Sequence, residues 1–231
     1  MSSRAFCASL LPGLEVVEDC RMAEHIATKL HEIVADRPAL SIVCSGGKIA
    51  PRVLETFICK YLGGRQLNVI ATDERITTDF GDTNAQSLQE AIALGGGTDT
   101  VNLIAPAQDV DVARSANDFM KQVRDCPTVE AAIFGVGNDG HVASHFPGVP
   151  PQTQGFVDVV IGAPSPFTQR ITLSMAFLGT IPHRLVALAG VEKAEVLRAL
   201  ASGMSLPVAQ VKPTQSFVSK DAVQSFSVER H

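Results

Sequence analysis

Short apolar runs alternate with segments whose apolar residues recur at helical spacing through most of this chain. Leu14 to Val17 reads as a first strand, and Asp19 is placed to cap the helix that follows. In that helix Ala23, Ile26, Ala27, Leu30, Ile33 and Val34 share one face. Leu40 to Cys44 is a short strand, and Pro51 to Leu62 a helix closed by Gly63 and Gly64. Leu67 to Ala71 is the next strand, followed by the polar segment TDERITTDFGDTN and a helix near Ala85 to Leu94. Val101 to Ile104 and Ala131 to Phe134 are strands, with a helix from Val110 to Val123 between them. A proline-rich loop then leads to apolar runs at Val157 to Ile161 and Ile171 to Leu173. Arg184 to Ala189 is a further strand and Val191 to Leu200 a further helix. Strands separated by helices require crossovers, which predicts one α/β domain over residues 1–231: a mostly parallel twisted sheet with helices on both faces. In such folds chemistry belongs in the loops after strands.

Composition narrows the function classes. The 231 residues are 45% apolar, with no tryptophan and one tyrosine, ample for an aliphatic core. Net charge is −5 and no basic cluster occurs, which argues against a nucleic-acid partner. Cys7, Cys20, Cys44, Cys59 and Cys126 are odd in number, dispersed and without C-x-x-C spacing. That predicts buried free thiols in a reducing compartment and lends no support to a zinc site. The weakly apolar stretch from Ala5 to Leu14, behind Arg4, is broken by Ser9, Pro12 and Gly13, unlike a signal peptide. No run approaches the ~20 apolar residues that span a bilayer. The expectation is a soluble cytoplasmic protein, monomeric or a small homo-oligomer, acting on a small molecule away from membranes.

The loop after Ala131–Phe134 carries the clearest chemistry. Gly135, Gly137 and Gly140 allow sharp turns and close approach to a ligand. They present Asp139 and His141, a carboxylate and an imidazole two residues apart, equipment for drawing a proton from water. The glycines also spell the dinucleotide pattern G-x-G-x-x-G, which needs a helix starting at its third glycine. Pro147, Pro150 and Pro151 allow only a very short one, and Asp158, near the ribose-binding offset, falls inside an apolar run. A nucleotide cofactor is not expected.

Three other segments are rich in polar groups beyond structural need. Ser45, Gly46, Gly47 and Lys48 link a strand to a helix, where exposed N–H groups and the helix dipole favour an anion. The Walker A pattern fails there, because Ile42 and Ile49 occupy its glycine and Ser/Thr positions. Asp73, Glu74 and Arg75 follow the Leu67 strand. Arg170 opens RITLS, and Lys193 stands near a helix N-terminus, unfavourable for the dipole unless it points outward or meets an anion. His145, which lacks a paired acid, is second to His141 as a base.

In order and spacing, SGG (45–47), DER (73–75), the segment ending at Asn84, GVGNDGHVASHFP (135–147), RITL (170–173) and GVEKAEVL (190–197) resemble the 6-phosphogluconolactonases, relatives of the glucosamine-6-phosphate deaminases. The resemblance implies a modified Rossmann-like fold and hydrolysis of 6-phospho-D-glucono-1,5-lactone in the oxidative pentose phosphate pathway, without metal or organic cofactor. It implies His141 as the base and Asp139 as its orienting acid. Gly46, Gly47, Arg170 and Lys193 would hold phosphate with Arg75 as a further cation, and Ser45, Asp73 and Asn84 would complete the sugar-phosphate site. The chain departs from the family pattern at Lys48–Ala50, where Thr-Pro is usual, at Ala71-Thr72, where Trp is often found, and at His145, where Leu is usual. Two rival functions are amino-sugar-phosphate deamination and silent sugar-phosphate binding. The deaminases continue the histidine motif with a Phe-Asn-Glu-Pro pattern; Ser144, His145 and Phe146 supply no such glutamate.

Overall fold

A computed structural model describes residues 9–37, 39–77, 80–108, 111–164 and 166–228. The strands are β1 (Leu14–Val17), β2 (Ala39–Cys44), β3 (Gln66–Ala71), β4 (Asp73–Arg75), β5 (Val101–Ile104), β6 (Val129–Gly135), β7 (Gln152–Gln154), β8 (Val157–Ile161), β9 (Gln169–Leu173), β10 (His183–Leu188) and β11 (Gln215–Ser219). The helices are α1 (Asp19–Val34), α2 (Ala50–Phe57), α3 (Asn84–Leu94), α4 (Val112–Asp125), α5 (Met175–Leu178), α6 (Ala194–Ala201), α7 (Pro207–Gln210) and α8 (Lys220–Val228). Seven strands form a parallel sheet in the order β1-β11-β10-β6-β2-β3-β5. The expected mostly parallel sheet with helices on both faces is therefore present.

Alternation along the central strands shows why both faces are covered. Ile42 and Cys44 of β2 join one core cluster, with Met22, Ile26 and Leu30 of α1 and Val53, Leu54 and Phe57 of α2. Val43 faces the opposite cluster, with Phe119 of α4, Leu197 of α6 and Phe226 of α8. Each buried Leu, Ile or Phe of this kind contributes about 1.5–3 kcal/mol relative to exposure. The sheet interior is thus apolar on both sides, and polar side chains collect at the strand ends.

Several features depart from the sequence reading. DER, read only as part of the polar segment after the Leu67 strand, forms β4 and pairs in a second, antiparallel sheet ordered β4-β9-β8-β7. Val157 and Leu173 pack this sheet against the cluster that holds Phe119. Asp158 is buried there opposite Thr172, far in kind from a ribose-binding carboxylate at a strand's end. Glu18, not Asp19, occupies the N-cap of α1, without a side-chain bond, and Asp19 is the first helical residue. Among the described residues Cys44 is the only buried thiol; Cys126 is half-buried and Cys20 and Cys59 are exposed, against the expectation of buried thiols. Arg4 and Cys7 lie outside the described residues, as does Val110 at the start of the helix expected there. Strand β11 and helix α8 had no counterpart in the sequence reading.

The chain leaves β3, passes Thr72, and enters β4 at once, so two adjacent acids, Asp73 and Glu74, are buried where the sheets meet. The Glu74 carboxylate accepts backbone N–H groups from Arg75 (2.8 Å), Asn84 (2.7 Å) and Ala85 (2.7 Å), closing the N-terminus of α3. Burial nevertheless pushes its pKa up against those bonds, and the neighbouring Asp73 adds to the rise. A buried N–H without an acceptor costs about 1–3 kcal/mol, so Glu74→Ala is expected to lose about 3 kcal/mol or more. That corresponds to a fall of roughly 6–12 °C in Tm for a chain of this size. Thermal unfolding followed by circular dichroism checks it; a change within about 2 °C would contradict the anchoring role.

Candidate active site

The connections out of β2 and β6 leave in opposite directions across the sheet, β2 toward β3 and β6 toward β10. A doubly wound sheet opens a crevice at such a point, beyond the carboxyl ends of the strands. A cleft of about 300 Å3 lies there. Ser45, Gly46, Gly47, Asp73, Arg75, Asn84, His141, Arg170 and Lys193, drawn from separate stretches of sequence, all line it. The Ser45 hydroxyl accepts the Gly135 N–H at 2.8 Å and the Ser45 N–H donates to the Ile133 carbonyl at 3.0 Å, so the two glycine loops are tied across the crevice.

Asp139 meets the cleft through His141. Its Oδ1 is 2.6 Å from His141 Nδ1 and also accepts the His141 backbone N–H at 3.1 Å. Burial raises the Asp139 pKa, but the side-chain and backbone bonds from His141 outweigh it and hold it below the ordinary aspartate value. An ionised carboxylate only accepts, so Nδ1 carries a proton, and in a neutral imidazole Nε2 is then the acceptor. Gly137 makes room for this arrangement, because a Cβ there would lie 2.1 Å from the imidazole Cε1 and Nδ1. His145, the competing histidine, is buried with Nε2 2.9 Å from the Leu173 carbonyl oxygen, and it does not line the cleft.

Opposite strands bring two cations face to face. Arg75 of β4 and Arg170 of β9 are direct cross-strand partners, an arrangement of like charge that destabilises a sheet unless something offsets it. Arg75 Nη1 donates to the Asp82 carbonyl at 2.8 Å, and Arg170 Nε to the Phe167 carbonyl at 2.8 Å. Burial lowers the Arg170 pKa from its ordinary value; Asp73 opposes this and Arg75 reinforces it. Asp73 accepts from the Ser144 hydroxyl at 2.6 Å and the Thr72 hydroxyl at 2.7 Å, which joins the His141 loop to β4. Asn84 Nδ2 donates to the Asp73 carbonyl at 2.9 Å, and its Oδ1 would lie 2.2 Å from any Cβ at Gly46.

A third cation closes the other side. Lys193 is only 7% exposed, so it is no ordinary surface lysine. It donates to Asn138 Oδ1, and its ammonium is 3.6 Å from Glu192 Oε1. Among the described residues, no group of three or more His, Cys, Asp or Glu side chains is placed to hold a metal ion.

Residues 19–220 match the family model for glucosamine-6-phosphate isomerases/6-phosphogluconolactonase. The chain belongs to that family. A 6-phosphogluconolactonase of Xylella fastidiosa (strain 9a5c) is 31% identical over 195 residues, 78% of this chain and 81% of the relative. One from Pseudomonas putida is 27% identical over 195 residues, 80% of this chain and 79% of the relative. The fold is shared with the solved 6-phosphogluconolactonase of Thermotoga maritima (TM-score 0.76, 20% identity, 90% of this chain and 98% of that one). It is shared equally with that of Trypanosoma brucei (TM-score 0.74, 23% identity, 94% and 99%).

Against that family frame, Lys48, at the departure following SGG, lines the cleft and adds a fourth cation. Asn138 and Glu192, which no motif singles out, line it too and contact Lys193. Their signal was adjacency: Asn138 lies inside the glycine loop and Glu192 next to the lysine.

Burial lowers the Lys193 pKa, more than Glu192 and Asp139 restore it, and Lys48 pushes the same way. The sign is therefore that Lys193 loses its proton at lower pH than an ordinary lysine. Binding of inorganic phosphate is expected to weaken on the alkaline side, and to do so earlier in wild type than in Lys193→Arg, whose guanidinium stays charged. Calorimetric titrations across alkaline pH check this; superimposable pH profiles would contradict a phosphate contact at Lys193.

Proposed function

We propose that this protein hydrolyses 6-phospho-D-glucono-1,5-lactone to 6-phospho-D-gluconate, the lactone-opening step of the oxidative pentose phosphate pathway. The observation that carries the reading is the Asp139–His141 contact of 2.6 Å at the edge of a cleft lined by Arg75, Arg170 and Lys193. The names of the relatives support the substrate, and the cationic wall suits a phosphoryl dianion. We read the protein as cytoplasmic, monomeric or a small homo-oligomer. Among the described residues no helix is long and apolar enough to cross a membrane.

In this mechanism the cations and the Gly46–Gly47 turn anchor the phosphate, and the lactone carbonyl rests near His141. Nε2 takes a proton from water as the water oxygen bonds to C1. The tetrahedral intermediate then expels the ring oxygen, which receives that proton from the imidazolium, and the new carboxylic acid ionises to solvent. Asp139 remains a carboxylate throughout, holding Nδ1–H and favouring the imidazolium. Anchoring lowers the entropic part of the barrier, and proton removal contributes about 10²–10⁴-fold.

The test is a coupled assay with freshly prepared lactone, spontaneous hydrolysis subtracted. Wild type is expected to turn it over, and to release no ammonia from glucosamine 6-phosphate. His141→Asn is expected to lower kcat by about 10²–10⁴-fold while still binding 6-phosphogluconate. Near-wild-type kcat in that variant would move the base elsewhere, and ammonia release at a comparable rate would replace lactonase by deaminase.

A further inference from the structure

A continuous stack of rings and guanidinium groups joins His141 to both arginines. The Phe146 ring lies 4.6 Å, centre to centre, from the His141 imidazole and is tilted 47° to it. The same ring centre is 5.5 Å from the Arg170 guanidinium carbon. That carbon is in turn 5.9 Å from the Phe167 ring, whose centre is 5.2 Å from the Arg75 guanidinium. The order is imidazole, phenyl, guanidinium, phenyl, guanidinium.

Each member has a physical reason to be there. Arg75 and Arg170 oppose one another across β4 and β9, and the electron-rich faces of two phenyl rings offset part of that repulsion without neutralising the charge that an anion would need. Phe146 is buried in a small cluster with Val160 and Ala163, so the second sheet fixes its place. A phenylalanine side chain has few rotatable bonds and no polar group to satisfy. One rigid body therefore touches the ring that would activate water and a cation that would grip phosphate. In a lactone carrying phosphate, the reacting carbonyl and the anionic group are separated by a fixed number of bonds, so the enzyme must match that separation, and small misplacements are costly in rate.

We propose that Phe146 is a positioning residue, a spacer that sets the separation between the His141 base and the Arg170 anion grip, and that Phe167 holds the Arg75–Arg170 pair from the other side. The proposal rests on the lactonase reading for its kinetic consequence, but its anion half is independent of it. Simple packing would make loss of Phe146 reduce the active fraction, which scales every substrate alike. A spacer couples the two ends, and its loss penalises the substrate that uses both.

The experiment compares wild type, Phe146→Leu and Phe167→Leu on 6-phosphogluconolactone and on unphosphorylated gluconolactone, with calorimetry of inorganic phosphate in parallel. Phe146→Leu is expected to cut kcat/KM for the phosphorylated lactone about tenfold more than for the unphosphorylated one. Phe167→Leu is expected to raise KM for the phosphorylated lactone about threefold to tenfold, with kcat within about twofold. Both should weaken phosphate binding by about threefold to tenfold. If Phe146→Leu does not fold, Phe146→Met, which fills the space without a ring, takes its place. Equal losses on the two lactones, or an unchanged phosphate dissociation constant, would overturn the proposal. If wild type turns over neither lactone, the functional reading falls instead, and the calorimetry alone decides: weaker phosphate binding upholds the stack's role, and unchanged binding overturns it.

Discussion

Two adjacent buried carboxylates govern how this molecule is assembled. Asp73 and Glu74 stand where the parallel sheet gives way to the antiparallel one, and an ionised group away from water must be fully hydrogen-bonded. Glu74 meets the requirement with three backbone N–H groups, two of them from the start of α3. Asp73 meets it with the hydroxyls of Thr72 and Ser144, the latter from the loop that carries His141. Satisfying two buried carboxyl groups thus fixes a helix, a strand and the histidine loop relative to one another. Arg75 and Asn84, the residues flanking these bonds, face the cleft as a consequence.

The same economy governs the cations. The pairing of β4 with β9 places Arg75 opposite Arg170, and the crossover after β10 brings in Lys193 with little exposure. Burial lowers the pKa of both Arg170 and Lys193, so keeping them charged carries a desolvation cost that contact with an anion would offset. On the proposed reading, affinity for phosphate and preference for a phosphorylated substrate would both follow from these partly desolvated cations. The crevice where they meet is dictated by strand order, since β2 and β6 send their chains in opposite directions.

Much of this was legible in the sequence because period and punctuation agree over the long elements. The apolar face of α1 and the run Ala131–Phe134 both appear in the structure close to where the pattern placed them. Of the cleft-lining residues, Ser45 to Lys48 and His141 were legible as loops that follow strands, whereas Asn84 was reached only through the family resemblance. What escaped detection has physical reasons. Strand β4 is three polar or charged residues whose extended form depends on β9, 95 positions away at Arg170, and local propensity does not carry that. Asp19 and Glu18 are both acidic, so composition could not choose the cap. Dispersed cysteines say nothing of which helix face they occupy, hence the exposed Cys20 and Cys59. Phe167 has no sequence signal at all, since its role exists only through Arg75 and Arg170.

The claim on which the chemistry turns is that Asp139 fixes the His141 proton on Nδ1 and leaves Nε2 to accept one from water. Long-range ¹H–¹⁵N correlation spectra of the histidine side chains read that tautomer directly, with His141→Asn assigning the signal. The account predicts a neutral imidazole protonated at Nδ1, shifting to a mixture of tautomers in Asp139→Asn. A neutral His141 protonated at Nε2 in the wild-type protein would contradict it.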